Sequence, residues 1–318
     1  MKEKIAFLYA GQGSQYTGMG QELYNSYEEF KKVFDSISLD FDIKEMCFAN
    51  PDNKLLLTQY TQPCLVAFAC GITEVLKSKG ISPDYVCGLS LGEYSALYAA
   101  NVWSLTDTMK IIAARGKAMS DASAGIDAAM VAVTGLEVNE VRDCCEDAKS
   151  EGIVSICNLN CPSQVVVGGE KRAVEYVSEL AKKVGAKRCI PLAVSGPFHT
   201  EFMRPAGERL AEVFNNVAFS EPIYEVLFNC LGGPRTNMQS INELLIKQIQ
   251  ETVHMQECIE YLINNGVRIF VEVGPGSVLS GFVKKTLKAL NKNADEYRII
   301  SINASEDIEE LSRLLLAE

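Results

Sequence analysis

Apolar positions along this chain gather into short runs that end on glycine and lead into segments with helical spacing. Lys4–Ala10 leads into Gly11-Gln-Gly13, Tyr85–Gly88 into Leu89–Ala100, and Val267–Val273 into Gly274-Pro-Gly276 and a helix through Leu290. Strand, glycine turn and helix repeated in this way predict βα units and a parallel sheet, hence an α/β fold. Between Leu105 and Met119 the apolar positions Leu105, Met109, Ile112 and Ala113 recur at helical spacing, with Ser104-x-x-Asp107 as a capping start.

The middle of the chain has a different rhythm. Ala128–Thr134 reads as a strand and Val138–Lys149 as a helix. Ile153–Leu159 and Gln164–Gly168 read as two strands joined by a turn at Cys161-Pro162-Ser163. Val174, Val177, Leu180, Ala181 and Val184 form one face of a second helix, and Lys187–Val194 gives a last strand. The order βαββαβ is that of the ferredoxin-like unit. It predicts a small domain over 125–195 inserted into a larger α/β domain made of 1–124 and 196–318. A length of 318 residues suits two domains at about 150 residues each.

Charge narrows the function classes. Lys and Arg number 30 against 41 Asp and Glu, so the net charge is −11. That balance argues against a general nucleic-acid binder, which needs a basic stripe, and against reliance on anionic lipid. The basic start and short apolar run before Gly11 read as a first buried strand rather than a signal peptide. The uncharged stretch Leu55–Thr73 holds Thr58, Gln59, Tyr60, Gln62 and Pro63, and is too polar for a membrane span. The 11 cysteines contain no C-x-x-C pair, so reduced buried thiols in a cytoplasmic protein are expected, with no metal site.

Gly88-Leu-Ser-Leu-Gly92 is a G-x-S-x-G motif placed between a predicted strand and a predicted helix. Glycines flanking Ser90 permit a sharp strand-to-helix turn, which exposes the hydroxyl and aims the next amide, that of Leu91, at a developing oxyanion. A serine nucleophile needs a base, and the chain has only two histidines, His199 and His254. His199 closes the uncharged segment from Cys189 to Thr200, which suits a partly buried site, whereas His254 lies among Gln250, Glu251, Gln256 and Glu257. His199 is therefore the better base. Two nucleotide motifs fail: Tyr16 replaces the third glycine of a dinucleotide fingerprint, and Met19 replaces the lysine of a P-loop. These residues alone leave open an acyltransferase, a serine hydrolase or thioesterase, and a non-catalytic binder that retains the fold.

Seven segments in order carry a more specific signal: Ala10-Gly-Gln-Gly-Ser-Gln15, Thr61-Gln-Pro63, Gly88-Leu-Ser-Leu-Gly-Glu-Tyr-Ser-Ala-Leu97, Arg115-Gly-Lys-Ala-Met119, Asn158-Leu-Asn-Cys-Pro-Ser-Gln164, Val194-Ser-Gly-Pro-Phe-His199 and Glu272-Val-Gly-Pro-Gly276. Together they closely resemble the malonyl-CoA:acyl carrier protein transacylases of bacterial fatty acid synthesis and the acyltransferase domains of polyketide synthases. The resemblance implies an α/β-hydrolase-like core with a ferredoxin-like insert, and an acyl-serine intermediate on Ser90 with His199 as base. It further implies an oxyanion hole from the backbone amides of Gln12 and Leu91, and a Gln248 main-chain carbonyl that orients the histidine. Arg115 would hold the free malonyl carboxylate, with Gln62, Asn160 and Phe198 around the substrate. The implied partners are malonyl-CoA and an acyl carrier protein. No resident cofactor is implied, since the phosphopantetheine belongs to the carrier. A monomer is expected. The family usually reads Gly-His-Ser-x-Gly, and Leu89 stands here in place of that histidine. Phe198 before His199 is the pattern associated with malonyl rather than methylmalonyl. Lys182, Lys183, Lys187 and Arg188, or Lys284, Lys285 and Lys288, are candidate basic patches for an acidic carrier.

Overall fold

The apolar run after Lys4 becomes a central strand in the structure, a computed structural model that describes residues 3–316. The strands of the described residues are β1 (Lys4–Tyr9), β2 (Tyr85–Gly88), β3 (Ala128–Thr134), β4 (Val154–Cys161), β5 (Gln164–Glu170), β6 (Arg188–Pro191), β7 (Glu225–Phe228), β8 (Gly233–Pro234), β9 (Val267–Val273) and β10 (Arg298–Ile302). A six-stranded sheet has the order β10-β9-β1-β2-β7-β8. It is parallel throughout except at its edge, where β8 runs antiparallel to β7. β7, β8 and β10 go beyond the strands read from the sequence pattern.

Register decides where the chemistry can gather. Tyr9, at the end of β1, pairs with Gly88 on one side and Val273 on the other. The loops that begin at Gly11, Leu89 and Gly274 therefore leave the sheet at one edge, the carboxyl edge where α/β proteins build their sites. Two glycines set how closely the chain turns there. A Cβ on Gly88 would stand 2.0 Å from the carbonyl carbon of Gly92, and one on Gly92 would stand 2.1 Å from the Tyr9 oxygen. Only hydrogen at both positions lets the helix Gly92–Ala99 start directly against β1 and β2.

The helix Thr58–Ser78 accounts for the uncharged stretch Leu55–Thr73, because residues from Thr61 to Ile72 are buried without a break. A helix apolar on all sides belongs inside a core. Among the described residues no helix is long and apolar enough to cross a membrane. Further along, the buried Glu272 carboxylate accepts hydrogen bonds from the amides of Leu279 (2.9 Å) and Ser280 (2.8 Å). This fixes the start of the helix Val278–Ala289, where an anion is favoured by the helix dipole.

β3 to β6 form a second sheet, in the order β4-β5-β3-β6, with all pairs antiparallel. Its two faces separate by the alternation of a strand. Val131, Val133, Val165 and Val167 pack against Val141 and Cys145 of the helix Val138–Asp147 and against Val174 and Val177 of the helix Lys171–Lys183. Met130, Ala132 and Val166 point the other way and join the main core. The last strand ends at Pro191 rather than Val194, since only four residues of it pair with β3, and the chain then returns as a loop through Ser195 to His199. β4 is tied to the main body by the Leu159 amide on the Val253 carbonyl and the Val253 amide on the Cys157 carbonyl, both 2.8 Å. All 11 cysteines are unpaired, and only Cys189 and Cys230 are partly exposed.

Gly92→Ala should destabilise the protein by about 2 kcal/mol or more, because its methyl meets backbone rather than a movable side chain. Urea unfolding of the variant and the wild type measures this. Equal midpoints would show that the helix start can yield.

Candidate active site

Ser90 and His199 share an unusual backbone. Their φ angles are +52° and +60°, in the left-handed region. For a residue with a Cβ this costs about 1–2 kcal/mol, and such strain persists where the surroundings over-determine it. The result is a direct contact: Ser90 Oγ lies 2.7 Å from His199 Nε2, and His199 Nδ1 lies 2.7 Å from the Gln248 carbonyl oxygen. A carbonyl can only accept, so Nδ1 carries the proton and donates it to Gln248. Nε2 is then free to accept from the serine hydroxyl. His199 is buried. Burial first, and then the nearby Arg115 charge, depress its pKa to about 4, against the pull of the Gln248 and Glu251 backbone. His254, the other histidine, pairs with Glu257 at 2.8 Å.

Arg115 sits late in the helix Leu105–Ser123, where sequence alone suits a solvated arginine, yet only 1% of it is exposed. Its Nη2 donates to Ser90 Oγ and to Gln248 Oε1, each at 3.2 Å, and its guanidinium lies 5.0 Å from the centre of the Tyr94 ring. No ion pair among the described residues includes it. Burial pulls its pKa below the ordinary guanidinium range, while Tyr94 and Glu93 oppose that. A buried cation whose fork is only partly used is suited to take an anionic group from outside.

The groups converge on a cavity of about 230 Å³ whose lining includes Gln12, Gln62, Ser90, Leu91, Arg115, Asn160, Phe198 and His199. Met130, Ala132 and Val166, on the inward face of the second sheet, form part of the same wall, as do Val278 and Phe282. Gln62 and Asn160 are buried, and Gln62 Oε1, Asn160 Oδ1 and Arg115 Nε have no hydrogen-bond partner. Unpartnered buried polar atoms around a cavity are suited to pair with the polar groups of a substrate. Gln62 Nε2 approaches Gln12 Oε1 at 3.4 Å, and Gln12 Nε2 donates to Thr58 Oγ1 at 3.1 Å. Leu91 begins the helix Gly92–Ala99, where amides have no partner within the helix. Leu89 lines the wall beside Ser90. A second, more open cavity of about 750 Å³ lies against His199, between the start of β4 and residues Gln250 to His254.

Three side chains around the pair have roles that escape a reading of the sequence. The Gln248 side chain, besides its backbone, donates through Nε2 to the Ser90 carbonyl at 2.7 Å. Asn229, fully buried after β7, accepts from the Ser90 amide through Oδ1 at 2.6 Å. Glu93 is also fully buried, and burial raises its pKa to about 8 against the Asn229 amide, Arg115 and Gln248. The one signal for Asn229 is the apolar run Val226-Leu-Phe228 before it, which marks a strand beside β2 once that pairing is known.

Comparison with known proteins covers nearly the whole chain. The family model for the acyl transferase domain matches residues 6–314. A malonyl CoA-acyl carrier protein transacylase of Bacillus subtilis (strain 168) is 42% identical over 290 residues, 90% of this chain and 92% of that protein. The crystal structure of a malonyl CoA-acyl carrier protein transacylase from Clostridium perfringens is 38% identical, with a TM-score of 0.92 over 99% of this chain and 98% of that one. A type II PKS acyl-carrier protein in its holo form has been solved in complex with its malonyl-transacylase. That structure matches with a TM-score of 0.91 and 32% identity, over 99% of this chain and 100% of that one.

Because protonation of His199 removes the acceptor for the Ser90 proton, reactivity of Ser90 should fall as pH drops through about 4 and be flat from there to neutrality. The rate of Ser90 labelling by a fluorophosphonate, followed from about pH 3.5 to 8, reads this directly. A midpoint near that of ordinary histidine would mean that burial does not hold His199 neutral.

Proposed function

The chain belongs to the acyl transferase family, and from that premise we propose that it is a malonyl-CoA:acyl carrier protein S-malonyltransferase. The observation that carries the reading is the buried, unpaired guanidinium of Arg115 beside the Ser90 hydroxyl. A nucleophile and a fixed cation in one cavity suit an acyl group that ends in a carboxylate.

In the first half-reaction Ser90 Oγ attacks the thioester carbonyl of malonyl-CoA while its proton passes to His199 Nε2. The tetrahedral oxyanion is held by the amides of Gln12 and Leu91. Its collapse breaks the C–S bond, and His199 returns the proton to the departing CoA sulfur, leaving malonyl-Ser90. In the second half-reaction the phosphopantetheine thiol of the carrier gives its proton to His199 and attacks the ester. The C–O bond breaks and the proton returns to Ser90. The Gln248 carbonyl stabilises the imidazolium formed midway, the part a carboxylate plays in other triads. Protons and bonds balance between thioester, Ser90 and His199, so the scheme calls on no resident cofactor. Phosphopantetheine arrives on the partner.

Arg115 grips the malonyl carboxylate with two parallel hydrogen bonds. Charge-assisted bonds of this kind contribute about 1.5–3 kcal/mol each, enough to prefer malonyl over acetyl by a factor on the order of 100 or more. Gln62 and Asn160 supply further polar contacts, and Phe198 and Leu89 shape the wall. The helix Val278–Ala289, whose first turns border the cavity, also carries Lys284, Lys285 and Lys288, a suitable landing for an acidic carrier on an acidic protein. We read the 125–195 segment as the inserted domain that closes the cavity. All the groups named come from one chain, so a monomer suffices, working in the cytoplasm where both partners are soluble.

Intact mass measurement after mixing with malonyl-CoA should show one malonyl group on the wild type and none on Ser90→Ala. Addition of holo-carrier protein should clear it. Persistence of the adduct in Ser90→Ala, or its rapid loss to water without carrier, would overturn the transferase reading. In the same assay Arg115→Ala should lower the preference for malonyl-CoA over acetyl-CoA by about 100-fold, and an unchanged preference would remove the carboxylate clamp.

A further inference from the structure

The Ser90 turn is closed by a side chain from elsewhere in the fold. Asn229, in the turn after β7, donates through Nδ2 to the Gly88 carbonyl at 2.7 Å and accepts through Oδ1 from the Ser90 amide at 2.6 Å. Those two backbone groups lie on either side of Leu89, so one amide spans the bend that leads into the left-handed Ser90. The orientation of the amide follows from its partners, because a carbonyl only accepts and an N–H only donates. Asn229 is itself fixed from behind. Its backbone amide donates to Glu93 Oε2 at 2.8 Å, and its carbonyl accepts from the His254 amide at 2.8 Å. Glu93 lies in the first turn of the helix that Ser90 introduces, so the ring closes on itself: Gly88, Ser90, Glu93, Asn229 and back to Gly88. Both Asn229 and Glu93 are fully buried, and Glu93 Oε1 has no partner.

We propose that Asn229 is a positioning residue for the acyl transfer: it holds the strained Ser90 backbone, and with it the direction of Oγ and of the Leu91 amide, while Glu93 holds Asn229. This rests on the reading of Ser90 as the acyl-accepting nucleophile. Neither side chain touches the acyl group, so the clasp acts on the rate of reaction and leaves substrate affinity alone. The Gln248 side chain holds the Ser90 carbonyl and the Tyr9 carbonyl holds the Leu89 amide, but it is Asn229 that meets the Gly88 carbonyl and the Ser90 amide. Without Asn229 the Gly88 carbonyl and the Ser90 amide lose the partners that fix them, and the turn relaxes toward backbone angles that swing Oγ off the His199 nitrogen.

The test compares the wild type with Asn229→Ala, Glu93→Ala and Glu93→Gln in single-turnover formation of malonyl-Ser90 from malonyl-CoA. In parallel, Ser90 is labelled with a fluorophosphonate, where Oγ displaces fluoride from phosphorus and His199 takes the proton. Asn229→Ala should slow both reactions by about 100-fold, as misplacement of a reacting atom by a fraction of its own size does. The half-saturating malonyl-CoA concentration should stay within about 3-fold and the cooperative thermal transition should be retained. Glu93→Gln keeps an acceptor for the Asn229 amide, and should react at least about ten times faster than Glu93→Ala. Rates for Asn229→Ala within about 3-fold of wild type, or a slowing carried wholly by weaker malonyl-CoA binding, would overturn the proposal. If Asn229→Ala does not fold, the Glu93 pair decides, and equal rates for its two members overturn it. A wild type that takes the fluorophosphonate but not malonyl-CoA would sink the malonyl reading alone, since the fluorophosphonate rates still judge the clasp.

Discussion

The site depends on one hydrogen bond, from the Ser90 hydroxyl to a histidine that burial keeps uncharged. In water an imidazole would be a mediocre acceptor, half protonated near neutrality. Enclosed, with its other nitrogen committed to the Gln248 carbonyl, it has one tautomer and one free lone pair, and that lone pair faces Ser90. A carbonyl in this place orients the ring without adding a full negative charge. That matters because Arg115 lies beside it, and a carboxylate triad member would compete for that cation with the malonyl carboxylate of the proposed reaction. The main-chain acceptor leaves the cation free.

Electrostatics around Arg115 follow the same economy. Its neighbours are the face of Tyr94 and the amide oxygen of Gln248, both of which accept the guanidinium without cancelling its charge. Glu93, the nearest acidic group in the network, is raised by burial toward its neutral form and has turned one oxygen to the Asn229 amide. Among the described residues no carboxylate forms an ion pair with this buried charge, a costly arrangement that a bound carboxylate would relieve.

What the sequence disclosed and what it hid divide along physical lines. Strand–glycine–helix units, the βαββαβ middle segment and the Ser90 turn were legible because they depend on local periodicity and on glycine, which act over a few residues. His199 was legible through scarcity, since only two histidines exist. The uncharged stretch before Glu74 could be recognised as no membrane span, but only the fold shows it as a helix wrapped on all sides. Arg115 illustrates the limit: its helix was predictable, yet burial of its charge depends on Tyr94 and Gln248, the latter 133 residues away. Asn229 and Glu93 were invisible for the same reason. A polar side chain in an unremarkable short segment gains its role only when a distant strand is laid beside β2. Short strands such as β8, with two residues, carry too little pattern to read at all.

The cysteines have a consequence for selectivity among nucleophiles. An ester on Ser90 that a carrier thiol can resolve is open, in principle, to capture by any thiol, and this protein carries 11 of its own. None lines the cavity that holds Ser90. Burial pushes Cys145 and Cys230 up to about 12 and raises Cys70 and Cys157 as well, so at neutral pH these sulfurs are protonated and poorly nucleophilic. Cys230 lines the more open cavity against His199 and not the one that holds Ser90. The fold therefore puts none of its own cysteine sulfur in the cavity that holds Ser90, and in the proposed reaction the thiol that resolves the ester arrives from outside the chain.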